Sequence, residues 1–294
     1  MEVLLGVGVA AGFGFSDFIG GMTGRRTGPL RTITGVQLAG AAIMGIYLLA
    51  ASEPLGGVRE MVLAAIAGTS LVFGGGSMYA GLTWGRMSVL APVAATAVAV
   101  ITFAVGLVRG ERPSTLALAG VLLAIVAVVL ISRPPQAVDV PLAQRDSRRR
   151  VGLGGELALA VAAGAGFAGF QTTLGEIGDT AGLAPLLVVR GVGGALSLAV
   201  LLVVWQRSGA PRLRVPRRST FVPVIVAGFL VLVAHALLIE ALSLGLLSVV
   251  GPITSLSPAF TVIPARIFLH EHISRMQILG MVLAAVGLVL AALG

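Results

Sequence analysis

Four ionisable side chains lie inside long apolar runs of this sequence: Asp17, Arg190, His235 and Glu240. Such groups are costly unless they face one another, water or a bound molecule, and for that reason they mark candidate functional sites. Asp17 can take up a proton or bind a cation, and Gly14, Gly20 and Gly21 at neighbouring helical positions leave room beside it for close packing or a ligand. A purely structural hydrogen-bond acceptor is the alternative for Asp17.

Arg190 is suited to binding an anionic group or to pairing with an acid such as Asp17, although an arginine near a helix end can instead reach the solvent. His235 and Glu240 are five residues apart, so on a regular helix they point about 140° from each other and do not converge. We therefore treat them as two separate polar candidates for a binding cavity. Glu240, near the end of its run, can also simply be solvated.

Neutral polar residues in the other apolar runs can hydrogen-bond a substrate: Gln37, Tyr79, Gln171 and Ser257. Any one of them can equally bond a neighbouring helix. Pro258 and Pro264 follow Ser257 in the same run, where they free backbone carbonyls and can break the helix.

Several other chemistries are absent from the sequence. There is no Cys, and no Gly-x-Ser-x-Gly elbow or phosphate-binding loop occurs. His270 and His272 are two residues apart and do not share a helical face, so they do not form a zinc motif. We expect no catalytic residues, no metal and no cofactor, and we expect that the chain is not an enzyme. Glu111 and Ser114 precede an apolar run, where they favour the start of a helix rather than chemistry.

The elements that carry these residues are predicted to be transmembrane helices. The sequence is 57% hydrophobic and only 11% charged, whereas soluble globular chains have roughly 25% charged residues. Continuous apolar runs of about 20 residues, the length of a membrane-spanning helix, recur along the chain. The alternating segments of about 10 residues that a β-barrel needs are not seen. The predicted fold is an all-α integral membrane protein with ten transmembrane helices.

We predict the ten spans at the following positions: 3–22, 30–50, 61–82, 88–108, 116–131, 153–174, 183–205, 221–242, 248–268 and 276–293. Residues 116–131 of the fifth span and 278–293 of the tenth contain no ionisable or hydroxyl residue. We therefore expect these two helices to face lipid all round. The longest polar break divides the chain into a first five-helix repeat at 1–132, a polar linker at 133–150 and a second five-helix repeat at 151–294.

The two halves repeat each other. Ser88 and Pro92 recur at Ser248 and Pro252, and Glu111 and Ser114 recur at Glu271 and Ser274, all at one constant offset. Because a unit of five spans is odd, its second copy enters the membrane upside down. Inverted repeats of this kind are typical of secondary transporters, which bind a solute at the interface between the repeats.

These residues resemble the drug/metabolite transporter superfamily, specifically its ten-helix EamA-type exporters. The resemblance rests on Ser-Val-x-x-Pro opening the fourth and ninth spans, on the acidic residue before the fifth and tenth spans, and on Phe15-Ser16-Asp17-Phe18 with Gly20-Gly21 in the first. It implies export of amino acids, metabolites or drugs through a cavity lined by spans 1–4 and 6–9. His270 stands where the first copy has Gly110, a small departure in the second acidic motif.

We therefore expect a secondary active transporter in the cell membrane, with an intramembrane enzyme or a receptor-like membrane protein as alternatives. The expected partners are a small-molecule substrate, membrane lipids and a coupling proton, without nucleic acid, and both a monomer and a homodimer are open. The loops between spans 1–2, 3–4, 5–6, 7–8 and 9–10 hold most of the arginines, so the positive-inside rule favours termini outside the cell. The family resemblance implies the opposite orientation.

Overall fold

The computed structural model describes residues 1–51, 56–84, 87–131, 152–177, 182–208, 218–268 and 274–293. These residues form eleven helices: α1 Glu2–Thr27, α2 Pro29–Ala51, α3 Val58–Trp84, α4 Met87–Val108, α5 Thr115–Ile131, α6 Leu153–Gly175, α7 Ala184–Ser208, α8 Arg218–Leu244, α9 Leu247–Thr254, α10 Ser257–Phe268 and α11 Arg275–Leu293.

Seven of these helices in the described part of the chain are long and apolar enough to cross a membrane: α1, α2, α3, α6, α7, α8 and α11. The apolar stretches of α4 and α5 are shorter, at Val93–Val108 and Thr115–Ile131. The all-helical, multi-span prediction is confirmed at this level. Gly28, with a φ of 89°, joins α1 directly to α2 through a backbone conformation that only glycine adopts readily.

The predicted ninth span is two helices, α9 and α10, that meet at Ser255 and Leu256. Pro258 has no backbone N–H to donate to the carbonyl of Thr254, four residues earlier. The chain turns through tighter bonds, from Leu256 N–H to the Ile253 carbonyl at 3.0 Å and from Ala259 N–H to the Leu256 carbonyl at 2.9 Å. The break that the prolines of this run predict therefore occurs just before Pro258.

Helices of the first half pack mainly against helices of the second half. The principal pairs are α1 with α8, α3 with α6, α2 with α7, α4 with α6, α3 with α7, α1 with α10, α4 with α9 and α5 with α11. Glycines allow the closest of these approaches. A methyl group at Gly74 of α3 would lie 2.9 Å from the backbone nitrogen of Phe167 on α6, too close for any larger residue.

The expectation that the fifth and tenth spans face lipid all round is wrong. α5 and α11 pack against each other through small residues, and a methyl group at Gly120 would lie 2.5 Å from the Gly287 carbonyl oxygen. A methyl group at Gly287 would in turn lie 2.8 Å from the Gly120 carbonyl oxygen. Each helix has a face of small residues that its partner covers, and only the opposite face, with Leu122 and Val126 of α5, is exposed.

The bundle has two ends that differ in their contacts. We call the end that holds Glu2, Glu111, Glu176 and Leu247 the terminal end, because the N-terminus of α1 lies there beside the C-terminus of α8. At the opposite end, which we call the linker end, α1 passes into α2 through hydrogen-bonded Thr27 and Thr32 (2.8 Å). There Gln277 at the start of α11 also donates to the carbonyl of Ile131 at the end of α5 (3.2 Å).

Candidate functional site

Three of the sequence-predicted polar residues form one buried cluster between α2, α7 and α8. Arg190 of α7 donates through Nη1 to Oε1 of Gln37 on α2. Its Nη2 lies 3.1 Å from Nδ1 of His235 on α8. Arg190 and His235 are each 1% exposed and Gln37 is 7% exposed. We call these three residues the Arg190 cluster; residues from both halves of the chain form it.

Glycines shape the pocket that holds the Arg190 side chain. A methyl group at Gly40 of α2 would lie 3.2 Å from Cδ and 3.3 Å from Nε of Arg190. Gly193, one turn after Arg190 on α7, leaves the space that the amide of Gln37 occupies. The absence of side chains at these two positions is what lets a guanidinium group fit between α2 and α7.

The guanidinium of Arg190 has no acidic partner among the described residues. No carboxylate in that part of the chain lies within 4.0 Å of it. Its five N–H groups meet two side-chain partners, and the buried Nε–H has no hydrogen-bond partner. The expectation that Arg190 pairs with Asp17 is therefore not realised here, and a buried cation remains without a counter-charge.

Two aromatic rings flank the imidazole of His235. The ring of Phe170 on α6 lies 4.5 Å away, centroid to centroid, and tilted by 38°. The ring of Phe13 on α1 meets His235 edge-on at 5.5 Å. The cluster thus combines one cationic and two neutral polar groups with an apolar wall, the combination that small-molecule sites generally have.

Gln171, the residue after Phe170, lies in a neighbouring polar contact. The hydroxyl of Thr254, at the last residue of α9, is 3.2 Å from Oε1 of Gln171. Both residues are buried. This contact joins α6 to the broken span at the point where Pro258 leaves the Thr254 carbonyl without a helical N–H partner. Gln171 is thus close to the cluster through Phe170 but does not bond to it.

Asp17 is exposed, yet it lies on the inward face of α1. Phe15 and Met22, which are also exposed, point about 160° and about 140° away from it on the helix, toward the outside of the bundle. Phe13, which contacts His235, lies one turn before Asp17 on the same face. The inward-facing carboxylate of Asp17 is therefore accessible between the helices. Gly20 and Gly21, one turn closer to the linker end, also have space beside them, because a methyl group at either would meet no atom of the described residues within 4 Å.

At the terminal end of the bundle, Glu111 joins the two halves. Its two carboxylate oxygens accept hydrogen bonds from the backbone N–H groups of Leu247 (3.0 Å) and Ser248 (2.8 Å), the first residues of α9. An acid at this position satisfies free N–H groups and the positive end of the helix dipole. The predicted structural role of Glu111 thus falls on α9, in the other half of the chain, rather than on the helix that follows it. Ser114 fills that position, accepting from Ala117 N–H at 3.1 Å.

Ion pairs lie at the same end. Arg109, at the end of α4, is 2.8 Å from Oε1 of Glu176, which follows α6. Arg59 of α3 is 3.9 Å from the other oxygen of that carboxylate. A methyl group at Gly245 would lie 2.5 Å from Cγ of Glu2, so α8 ends tightly against the start of α1.

The model of one protein family, described as the EamA-like transporter family, matches residues 1–133 and 156–293. The chain belongs to the EamA-like transporter family. It is accordingly a multi-pass membrane protein of a transporter family, as the sequence predicts.

Two further similarities to this EamA-like protein are more distant. A crystal structure described only as that of a protein aligns with a TM-score of 0.75 over 99% of this chain and 96% of its own, at 15% identity. That likeness concerns the fold alone. Uncharacterized protein MJ1333.1 of Methanocaldococcus jannaschii is 38% identical over 66 residues, which are 22% of this chain. The chain spans about half, 48%, of the length of that relative.

The remaining predicted site residues of this EamA-like chain lie apart from the cluster. Glu240 is exposed near the C-terminal end of α8. Ser257 is partly buried at the start of α10, where its carbonyl faces Gly14 of α1. The side chain of Tyr79 lies outside the described residues, as do those of Arg266, His270, Glu271 and His272. Among the described residues, no three His, Asp or Glu side chains come together as a metal site would need.

Sequence reasoning missed Phe13, Phe170 and Thr254, which complete the surroundings of the predicted residues. Phenylalanine in an apolar run carries no sequence signal that separates a cavity wall from ordinary packing. Thr254 precedes Pro258 by four residues, and this spacing is the one signal that could have identified it, because it marks the carbonyl that the proline leaves unpaired.

Proposed function

We propose that this chain is a secondary active transporter that exports small metabolites, amino acids or drugs across the cell membrane by alternating access. The observation that carries the proposal is the Arg190 cluster, a buried polar site at the interface between the two halves of the chain. The chain belongs to a family of membrane transporters. Secondary transporters with inverted repeats bind their solute at this place.

The pairing of helices supports ten spans arranged as two inverted five-helix repeats. A two-fold rotation that places each repeat on the other would place α1 on α6 and α3 on α8. It would therefore turn the contact α1–α8 into the contact α6–α3. Both pairs are among the principal contacts of the bundle. The same rotation turns the contact α4–α6 into α10–α1, and it leaves the contacts α2–α7 and α5–α11 unchanged. This pattern is expected of a two-fold axis in the membrane plane.

The difference between the two ends supports alternating access. Glu111 and the Arg109–Glu176 pair tie the terminal end together, whereas Asp17, Gly20 and Gly21 line open space toward the linker end. A solute could enter along α1 from the linker end and would meet the closed terminal end beyond the Arg190 cluster. The proposed cycle opens the terminal end after closing the linker end. Asp17, on the entry path, is the proposed site of the coupling proton.

Reconstitution in liposomes tests the proposal. A thermal-shift screen of amino acids, quaternary amines and sugars selects solutes that stabilise the purified protein, because a ligand that binds the folded state raises its melting temperature. The selected solutes are then followed across the membrane of liposomes with an imposed proton gradient. We expect flux faster than in protein-free liposomes and dependent on the gradient. Folded, inserted protein that moves no stabilising solute would contradict the proposal.

A further inference from the structure

We infer that Arg190 binds the carboxylate of the transported molecule, so that the substrates of this chain include small monocarboxylates with an apolar body. The inference rests on the proposed transport function and names the substrate class of that same site. It follows from the charge, the free donors and the walls of the Arg190 cluster.

The charge of the site requires an anion. Arg190 is 1% exposed and bonds to the amide of Gln37 and the imidazole of His235, neither of which carries a negative charge. Buried charges in proteins are paired or bind an ion of opposite sign, because an unpaired one is costly to remove from water. The described residues offer no acid within reach, so the counter-charge that completes this site comes from a bound molecule.

The donors of the site match a carboxylate. Gln37 and His235 hold the two terminal nitrogens of the guanidinium, and this fixes the plane of the group. The Nε–H remains without a partner. The edge of a guanidinium that includes Nε–H can grip a carboxylate through two parallel hydrogen bonds. An arginine held in this way is pre-organised for a planar anion, and a lysine at the same position would not be.

The walls of the site restrict the rest of the molecule. One guanidinium neutralises one negative charge, so a dianion such as a phosphate monoester would retain an unpaired charge among apolar side chains. The rings of Phe13 and Phe170 pack against His235, so the side chains that surround the cluster there are apolar. A monocarboxylate with an aromatic or aliphatic body satisfies both conditions.

A route to the site follows the inward face of α1. Gly20 and Gly21, beside which no described atom lies within 4 Å of an added methyl group, are one turn after Asp17, and Phe13 is one turn before it. Along this face Phe13 is the residue whose ring contacts His235. A turn of its ring would admit a carboxylate to the cluster while the terminal end stays closed behind it.

Acids and their neutral amides test the inference on the purified wild-type protein in detergent. The probes are hippurate, benzoate and phenylacetate, each paired with its amide, and phenyl phosphate as a dianion. We expect at least one acid to bind roughly 10- to 100-fold more tightly than its amide, the range for charge-assisted hydrogen bonds, and phenyl phosphate to bind more weakly than that acid. Amides that bind as tightly as all three acids, or a preference for phenyl phosphate, would overturn the inference.

Variants assign the effect to Arg190. Arg190→Gln should lose the preference for acid over amide, and Arg190→Lys, which keeps the charge without the planar donors, should retain only part of it. Arg207→Gln is the matched control, because Arg207 is exposed on the same helix. Unchanged acid binding in Arg190→Gln would overturn the inference. If that variant does not fold, the acid–amide comparison on the wild type decides alone.

Flux measurements separate this inference from the proposed function. Binding of hippurate without any flux in liposomes would leave the carboxylate site standing and contradict transport. Flux of amides or cations, but of none of the three acids, would leave transport standing and overturn the carboxylate site.

Discussion

The two ends of the helix bundle are built from similar apolar helices but are held in different ways. At the terminal end, Glu111 bonds the first N–H groups of α9, and Arg109 pairs with Glu176. At the linker end, the inward face of α1 carries Asp17, Gly20 and Gly21 beside open space. Charged contacts join the two halves at one end, whereas among the described residues small side chains border the inward face of α1 at the other.

This difference distinguishes two acidic residues that look alike in the sequence. Asp17 and Glu111 are both acids of the first repeat, yet Glu111 has two backbone partners and the side chain of Asp17 is exposed on the inward face of α1. An acid whose oxygens are satisfied by a helix terminus stabilises one arrangement of the helices. An acid in a cavity remains available to a proton or a ligand. Substitutions at the two ends should therefore have different consequences.

The largest effect is expected at Asp17. Asp17→Asn keeps the shape of the side chain but removes its titratable group, so we expect a folded, inserted protein that has lost proton-coupled transport. Flux in liposomes at several pH values measures this. The repeat counterpart of Asp17 is Gly169, so the second half offers no replacement carboxylate. An unchanged rate and pH profile would reduce Asp17 to a structural acceptor and move the search for coupling to Glu240 or His235.

A second large effect is expected from filling the open space at the linker end. Gly20→Leu meets no neighbour within 4 Å, so the melting temperature should change by no more than about 2 °C while the side chain narrows the entry path and slows transport. Gly12→Leu is the matched comparison on the same helix, where a methyl group would already lie 2.8 Å from Cβ of Ala234. Overpacking there should cost about 1–3 kcal/mol of stability. Equal stability losses in both variants would show that Gly20 does not border a cavity.

Sequence reasoning predicted the positions of the helices better than the contacts between them. Continuous apolar runs identify the spans, and the prolines of the ninth run predict its break, because both signals are local. The meeting of Gln37, Arg190 and His235 depends on the relative rotation of three helices from both halves. No local pattern encodes that rotation. The same limit explains why Glu111 was expected to act on the helix that follows it and why the small-residue contact between α5 and α11 was missed.

A moderate effect is expected from the acid that closes the terminal end. Glu111→Gln removes the charge at the start of α9, a loss of about 1 kcal/mol that should favour opening of this end roughly fivefold. The chain has no Cys. A single Ser248→Cys, at a position that is 0% exposed, can therefore report the opening through its rate of reaction with a thiol reagent. Faster labelling in the Glu111→Gln background is the expected result.

The repeat supplies the matched control for Glu111. Glu271 is its counterpart in the second half and lies outside the described residues, and Ser88 is the counterpart of Ser248. Under alternating access, Glu271→Gln should favour opening of the linker end and so slow the labelling of Ser248→Cys. A change in the same direction for both acids would contradict the exchange of the two ends.

The smallest effect is expected at the ion pair of the terminal end. The side chains of Arg109 and Glu176 are 36% and 43% exposed, and pairs so open to solvent are worth about 0.2–1 kcal/mol. Glu176→Gln should therefore change the labelling of Ser248→Cys less than about threefold, and added salt should reduce the difference because it screens exposed charges. Glu111, whose bonds are to backbone N–H groups, should show the larger and less salt-dependent effect. If Glu176→Gln opened the terminal end more than Glu111→Gln, the ion pair rather than the helix-terminal contact would be what holds that end closed.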